Sequence, residues 1–481
     1  MTPPALGRRA VANTAFILAA RTASKLVSLV VVVVLANALG ADGYGRYTTL
    51  IAFSALVSVL ADFGFNPLYT REAARNPERL GDFLGTLLIL KVALSAVALV
   101  ALGLALGLGA GLFDLALPGA ALLITTAYAN QLRDSFYAVG RVAFDAIAIA
   151  CETAIQAGLI LFGAHEHAGV AFFVWSYAAS YAFTCVYCLV VINAFRIGRI
   201  RMRFDLALVK KWLPLALPFG LTFFLTNLYF RADVPILQHF RPFAEVGWYQ
   251  FAYKPFEALQ FIPLAIQAVV YPILGVYFVR DQGLLRAGYR RFFKVLVLLG
   301  WPLTVGTFML AGPIASAFRM FPQSEASLRI LAFAIVFLFV NSSFYAMLNA
   351  TNRQHLNVWS TGIASVLNIG LNLLLIPKFG YLAASATTVG TEAALSGLGW
   401  WFVQRGHREL RLDWLRVSWK MLLAGAVMAA VLLPLSHSRV YIGLAVGAVV
   451  YVAALLALRV ADAEEWRLLV GNRAFARLSR G

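Results

Sequence analysis

The sequence predicts an all-α integral membrane protein of about fourteen transmembrane helices, and three observations carry that expectation. Hydrophobic residues make up 61% of the 481-residue chain and charged residues only 13%, with a mean hydropathy of +0.79, far from a soluble globular balance. Apolar windows of about 20 residues, enough to cross roughly 30 Å of hydrocarbon, recur along the whole chain. Lys and Arg then separate by side: taking the N-terminus as cytoplasmic, 28 of the 40 fall in inner segments, 6 in outer loops and 6 within spans. An odd number of spans would break that alternation. The formal charge of +18 is therefore a topology signal and a source of affinity for anionic membrane lipids, and it is not a nucleic-acid footprint.

The windows centre near Leu26, Leu56, Leu94, Thr126, Ile155, Tyr181, Leu225, Pro263, Leu298, Leu338, Leu367, Leu395, Val427 and Val449. The first follows Arg8 and Arg9 but is too long and too charged for a secretory leader, so it reads as an uncleaved helix. Cys151, Cys185 and Cys188 lie within spans and form no disulfide framework. His165 and His167 flank Glu166 in a short outer loop, and a solvated turn explains them better than a metal site. The longest inner linker, Arg196 to Lys211, is basic and amphipathic. The Asp462 to Arg480 tail reads as an amphipathic helix on the inner leaflet. No soluble catalytic domain fits between spans, and no P-loop, HExxH or nucleophile elbow occurs, so the chain is not expected to be an enzyme.

An internal repeat organises the spans. Ser-Phe-Tyr-Ala occurs at Ser135 to Ala138 and again at Ser343 to Ala346, Gly45-Arg46-Tyr47 resembles Gly247-Trp248-Tyr249, and Leu161-Phe162-Gly163 resembles the Phe379-Gly380 turn. Spans one to six thus repeat as seven to twelve. An offset of six spans keeps orientation, which makes the repeats parallel, with a site expected near the midplane between them. The expected boundaries are residues 1–208 for the first six spans and basic linker, 209–405 for the second six, and 406–481 for two further helices and the tail.

Arg21 and Lys25 stand one helical turn apart in an otherwise apolar stretch. Charge at bilayer depth costs a few kcal/mol and marks a substrate path when it faces a cavity. The alternative is snorkelling to headgroups from a position near the inner interface.

The N-terminal third carries a family resemblance. It reads Asn13-Thr14-Ala15-Phe16, then Leu39-Gly40-Ala41-Asp42-Gly43-Tyr44-Gly45-Arg46-Tyr47, then Ala61-Asp62-Phe63-Gly64-Phe65 followed by Arg71-Glu72-Ala73. This resembles the polysaccharide exporters, the Wzx-type oligosaccharide flippases of the multidrug/oligosaccharidyl-lipid/polysaccharide (MOP) exporter superfamily. The resemblance implies two six-helix lobes around a central cavity, plus two C-terminal helices, in a bacterial plasma membrane with both termini cytoplasmic. It implies alternating access that moves polyprenyl-pyrophosphate-linked oligosaccharide outward, with a polysaccharide polymerase as a further partner. A lipid II flippase and a multidrug or cation antiporter remain open within the superfamily; a glycan polymerase or ligase is disfavoured by the short outer loops.

A pyrophosphate leaving water needs fixed cations, which Arg supplies as a fork and Lys as a point charge. Arg21, Lys25, Lys91, Lys254 and Arg231 are the candidates, with Glu257 one turn from Lys254 as a structural counter-ion and Arg133 read as a topology anchor. No cofactor is implied. Sodium or proton coupling is assigned to Asp233, Asn368, Asn372, Thr387, Glu392 and Asp62, polar groups whose other reading is helix–helix hydrogen bonding. Pro214, Pro218, Pro255, Pro263 and Pro272 are expected to break the seventh and eighth spans.

Overall fold

The computed structural model describes residues 3–406, 412–435 and 438–460; in the first helix its side chains are described from Val27 onward, together with Ser24. No strand occurs among them. With no water in a bilayer to satisfy backbone N–H and C=O groups, helices close every hydrogen bond within a segment, and the chain does so almost throughout.

The elements are α1 (Pro3–Asp62), α2 (Phe65–Arg75), α3 (Leu80–Leu104), α4 (Ala116–Ala138), α5 (Ala143–His165), α6 (Val170–Ala194), α7 (Leu206–Arg231), α8 (Asp233–Phe240) and α9 (Phe243–Leu259). They continue with α10 (Phe261–Arg280), α11 (Gln282–Met309), α12 (Ala311–Ala317), α13 (Ser324–Ala350), α14 (Gln354–Phe379), α15 (Tyr381–Gly406), α16 (Trp414–Leu432) and α17 (Val440–Ala457). All fourteen expected centres fall within helices. Leu26 and Leu56 share α1, parted by a kink at Gly40 (φ 67°, ψ 178°), a region only glycine enters cheaply. Eleven helices of the described residues are long and apolar enough to cross a membrane. α4 and α15 are not among the eleven; they carry Gln131, Arg133 and Asp134, and Thr387, Thr388 and Glu392, respectively.

The prolines break less than expected. Pro214 and Pro218 lie inside a continuous α7, Pro255 inside α9 and Pro272 inside α10. The interruptions come at Ala232, between α7 and α8, and at Gln260, between α9 and α10, where Pro263 stands in the first turn of α10 as a break at a proline requires.

The chain divides into two compact units, Met1–Lys254 with Thr361–Thr387, and Pro255–Ser360 with Thr388–Gly481. This partition follows compactness, whereas the boundaries after 208 and 405 mark a sequence repeat, so the two are not alternatives. In the first unit Phe65, Leu68 and Tyr69 of α2, Leu84 of α3, Leu132 and Phe136 of α4, Ile192 of α6 and Trp212 of α7 form one buried cluster. The repeated glycines meet there as well: a Cβ on Gly45 would strike the Phe243 carbonyl, and one on Gly247 the Ala41 carbonyl, so α1 and α9 touch backbone to backbone. In the second unit α16 and α17 pack on α11. Leu310, Met428, Leu432 and Tyr451 are buried together, and the Tyr451 hydroxyl donates to the Leu298 carbonyl at 3.2 Å. Each serine of the repeated tetrapeptide is buried against a tyrosine hydroxyl: Ser135 with Tyr69 at 2.8 Å, and Ser343 with Tyr289.

The tail expected at Asp462 to Arg480 lies outside the described residues.

Candidate functional site

Helix α3 shows how a charge comes to be buried inside the first unit. Leu84, Leu88, Lys91, Ser95, Ala98 and Leu102 are buried and recur every three or four residues, while Val92, Val97 and Val100 are at least 60% exposed, as lipid-facing side chains are. Lys91 thus sits on the protein-facing stripe, 3% exposed, too deep to snorkel. Its Nζ lies 3.6 Å from Asp62 Oδ1 at the end of α1, and donates to Asn66 Oδ1 at 3.3 Å and to the Ala127 carbonyl at 3.2 Å. One lysine therefore ties the α1–α2 break to α3 and α4. That break depends on Gly64 (φ 81°), whose Cα approaches the backbone of Ala216 and Gly220 on α7 too closely for any Cβ.

A second charge cluster centres on Arg133 of α4. Its Nη2 donates to Glu152 Oε2 at 2.5 Å and its Nε lies 3.4 Å from Asp145 Oδ1, both on α5. Thr184 of α6 donates to Glu152 at 2.7 Å, and the Tyr137 hydroxyl donates to Asp145. Arg133 is therefore a half-buried hub, not the topology anchor expected, because α5 turns two carboxylates toward it. Ser24 bonds Thr153 at 2.6 Å, which fixes that turn of α1 beside the turn of α5 carrying Glu152.

Between these clusters lies a cavity of about 740 Å³, within the range of small-molecule sites. Lys91, Arg133 and Arg231 line it, and so do Asp62, Asp134 and Asp145, with Asn66, Asn130, Thr126, Tyr137, Tyr177 and Phe219. Three basic and three acidic side chains thus face one space. Two groups given separate roles on sequence, Lys91 for substrate and Asp62 for coupling, prove to be one ion pair. Sequence reasoning missed Asn66, Asn130, Asp145, Tyr137 and Tyr177; only the acid in an apolar stretch, Asp145, left a signal.

The remaining candidates are distributed more widely. The side chains of Arg21 and Lys25 lie outside the described residues, although both positions are helical in α1. Lys254 is half-buried on α9 and is not among the cavity's lining residues. Asp233 is buried at the start of α8, accepting the Val234 N–H at 2.9 Å and the Tyr249 hydroxyl. On α14, Asn372 donates to Asn368 at 3.0 Å, and Asn372 Oδ1 is buried with no hydrogen-bond partner among the described residues. Ser365 bonds Leu225 and Arg241 bonds Ile376 and Pro377, so α14 runs alongside α7 and α8 and brings the level of Asp233 to that of Asn368 and Asn372. Thr387 is buried on α15 of the same unit. Glu392 belongs to the second unit, where it accepts from Asn341 at 2.7 Å, and Ser396 donates to the same Asn341 at 2.6 Å.

Fold and cavity together define a multi-pass helical membrane protein with a polar cavity among its helices. The polysaccharide biosynthesis protein family matches residues 10–278, more than half of the chain, and the MatE family matches residues 218–374. The chain belongs to the polysaccharide biosynthesis protein family. The lipid II flippase MurJ, in an inward closed conformation, has the same fold with a TM-score of 0.75 at 14% identity, over 92% of this chain and 98% of that one. An inward-facing multidrug resistance transporter of the MATE family gives a TM-score of 0.67 at 15% identity, over 80% and 95%. An uncharacterized membrane protein of Methanocaldococcus jannaschii is 31% identical over 97 residues, a match that spans 20% of this chain and 19% of the archaeal protein.

Proposed function

We propose that the protein is a flippase that carries polyprenyl-pyrophosphate-linked oligosaccharide from the cytoplasmic to the outer face of a bacterial plasma membrane, by alternating access, for surface polysaccharide synthesis. The supporting observation is the cavity lined by α1 to α7, in which Lys91, Arg133 and Arg231 stand among amide, hydroxyl and aromatic groups suited to a sugar. Lys91 and Arg133 are held in place by carboxylates before substrate arrives. An entering pyrophosphate exchanges one oxyanion partner for another, which limits the desolvation cost of capture. Arg21 and Lys25 serve first capture from the inner side, and a polymerase receives the product.

Coupling is assigned to Asp233, Asn368, Asn372 and Thr387. Their oxygens are the hard ligands that a sodium ion takes, and the buried Asn372 Oδ1 without a partner fits such an ion. The second reading, a cation antiporter, is favoured by the three carboxylates in the cavity lining.

Deletion of the gene, followed by assay of lipid-linked glycan in sealed vesicles, separates these readings. Intermediates accumulate on the cytoplasmic face if the protein is the flippase. Their normal distribution, with altered sensitivity to cationic drugs, establishes the antiporter instead. Asn372→Ala is expected to remove the sodium dependence of transport while leaving folding intact; unchanged sodium dependence rejects that ion site.

A further inference from the structure

A second cavity, of about 410 Å³, lies where α3 and α7 begin. Both helices are membrane-spanning, so their starts lie at headgroup depth. Three arginines line it, Arg79, Arg201 and Arg203, against two carboxylates, Asp82 and Asp205. Neither carboxylate faces it idly: Asp82 lies 3.4 Å from Arg201, and Asp205 accepts the Leu208 N–H at 3.0 Å as the cap of α7. The lining thus keeps one positive charge in excess.

The segment that supplies Arg201 and Arg203 is a built platform. A Cβ on Gly81 would meet the Arg199 carbonyl and one on Gly85 the Arg201 carbonyl, so the linker lies backbone to backbone on α3. Thr86 donates to the Arg203 carbonyl at 3.0 Å and the Arg201 N–H donates to Gly81 at 3.3 Å. Interleaved with the arginines, Met202, Phe204 and Leu206 are 64%, 45% and 53% exposed. Alternating forks and apolar side chains suit the border between phosphate and acyl chain.

We infer that this cavity binds the phosphodiester of one anionic phospholipid, with Arg201 and Arg203 on the phosphate oxygens and Phe204 and Leu206 against the chains. The bound lipid bridges the α3 start and the α7 cap, so lipid composition sets the order of the linker. The site is separate from the transport cavity and does not depend on what that cavity carries.

The full chain in phosphatidylcholine nanodiscs doped with phosphatidylglycerol tests this, with native mass spectrometry counting the retained anionic lipid. Arg201→Ala/Arg203→Ala is expected to lower retention of one tightly held phosphatidylglycerol at least tenfold. Asp82→Asn frees Arg201 and should raise retention several-fold, a gain that misfolding cannot produce. The distant pair Arg286→Ala/Arg290→Ala should change nothing. Unchanged retention in the first variant, no gain in the second, or an equal loss in the third overturns the site. Displacement of the lipid by millimolar inorganic phosphate makes it a free-anion site and overturns the lipid assignment.

Discussion

The Lys91–Asp62 pair offers the sharpest test of how the first unit works. At 3.6 Å and an effective dielectric near 20, two unit charges attract by about 5 kcal/mol, before the cost of desolvation is subtracted. Lys91 is 3% and Asp62 15% exposed, so little water screens them. Replacing one partner leaves the other buried and unpaired; Lys91→Met and Asp62→Leu should each destabilise by about 3 kcal/mol. The double variant should return to within about 1 kcal/mol of the wild type, because no charge is stranded, giving a coupling of about 2 kcal/mol or more. Denaturant unfolding in detergent measures the cycle, and flipping in proteoliposomes runs beside it. If the pair also serves transport, the double variant is stable and inactive. A coupling near zero refutes the ion pair as a structural tie; full transport in the stable double variant refutes its role in the cavity.

Other expectations follow from the same geometry. Gly45→Ala should prevent stable insertion, because its Cβ meets the Phe243 carbonyl, while Gly40→Ala, with open space around it, should cost only about 1–3 kcal/mol of backbone strain; yields and melting in detergent check both. Glu152→Gln should weaken the Arg133 cluster by about 1–3 kcal/mol and Glu152→Leu by more, since the amide still accepts from Arg133 and Thr184; equal melting of the two variants rejects the network. Arg21→Ala and Lys25→Ala should abolish complementation of a deletion strain at normal expression, and full activity in both assigns those residues to headgroup snorkelling.

Much of the fold is legible in the sequence because the bilayer is a demanding solvent. The fourteen window centres all fall in helices, and the kink between Leu26 and Leu56 falls on Gly40, within the glycine-rich turn. The two glycine motifs read as a repeat, at Gly45 and Gly247, prove to be where α1 and α9 touch. What failed was local: prolines were read as breaks, yet Pro214 and Pro218 are carried inside α7. A proline removes one donor, and a long helix in apolar surroundings tolerates that loss when neighbouring groups compensate.

The site divides differently. Sequence alone picks out Lys91, Arg133 and Asp62 as charges where charges are costly, since hydropathy makes each conspicuous. It cannot say which carboxylate meets which cation. In water an amphipathic pattern points one face inward, but in lipid both faces of a span are apolar, and the packing of α3 against α1 and α4 decides the rest. Packing of α3 on α1 joined Lys91 to Asp62, packing of α4 on α5 made Arg133 a hub between Asp145 and Glu152, and packing of α13 on α15 set Glu392 with Asn341 in the other unit. Composition and span length determined that the chain is a helical membrane protein, because a segment that pairs its own backbone groups satisfies them in hydrocarbon. The tertiary structure alone decided the charge pairing, because partners distant in sequence are chosen by helix contact.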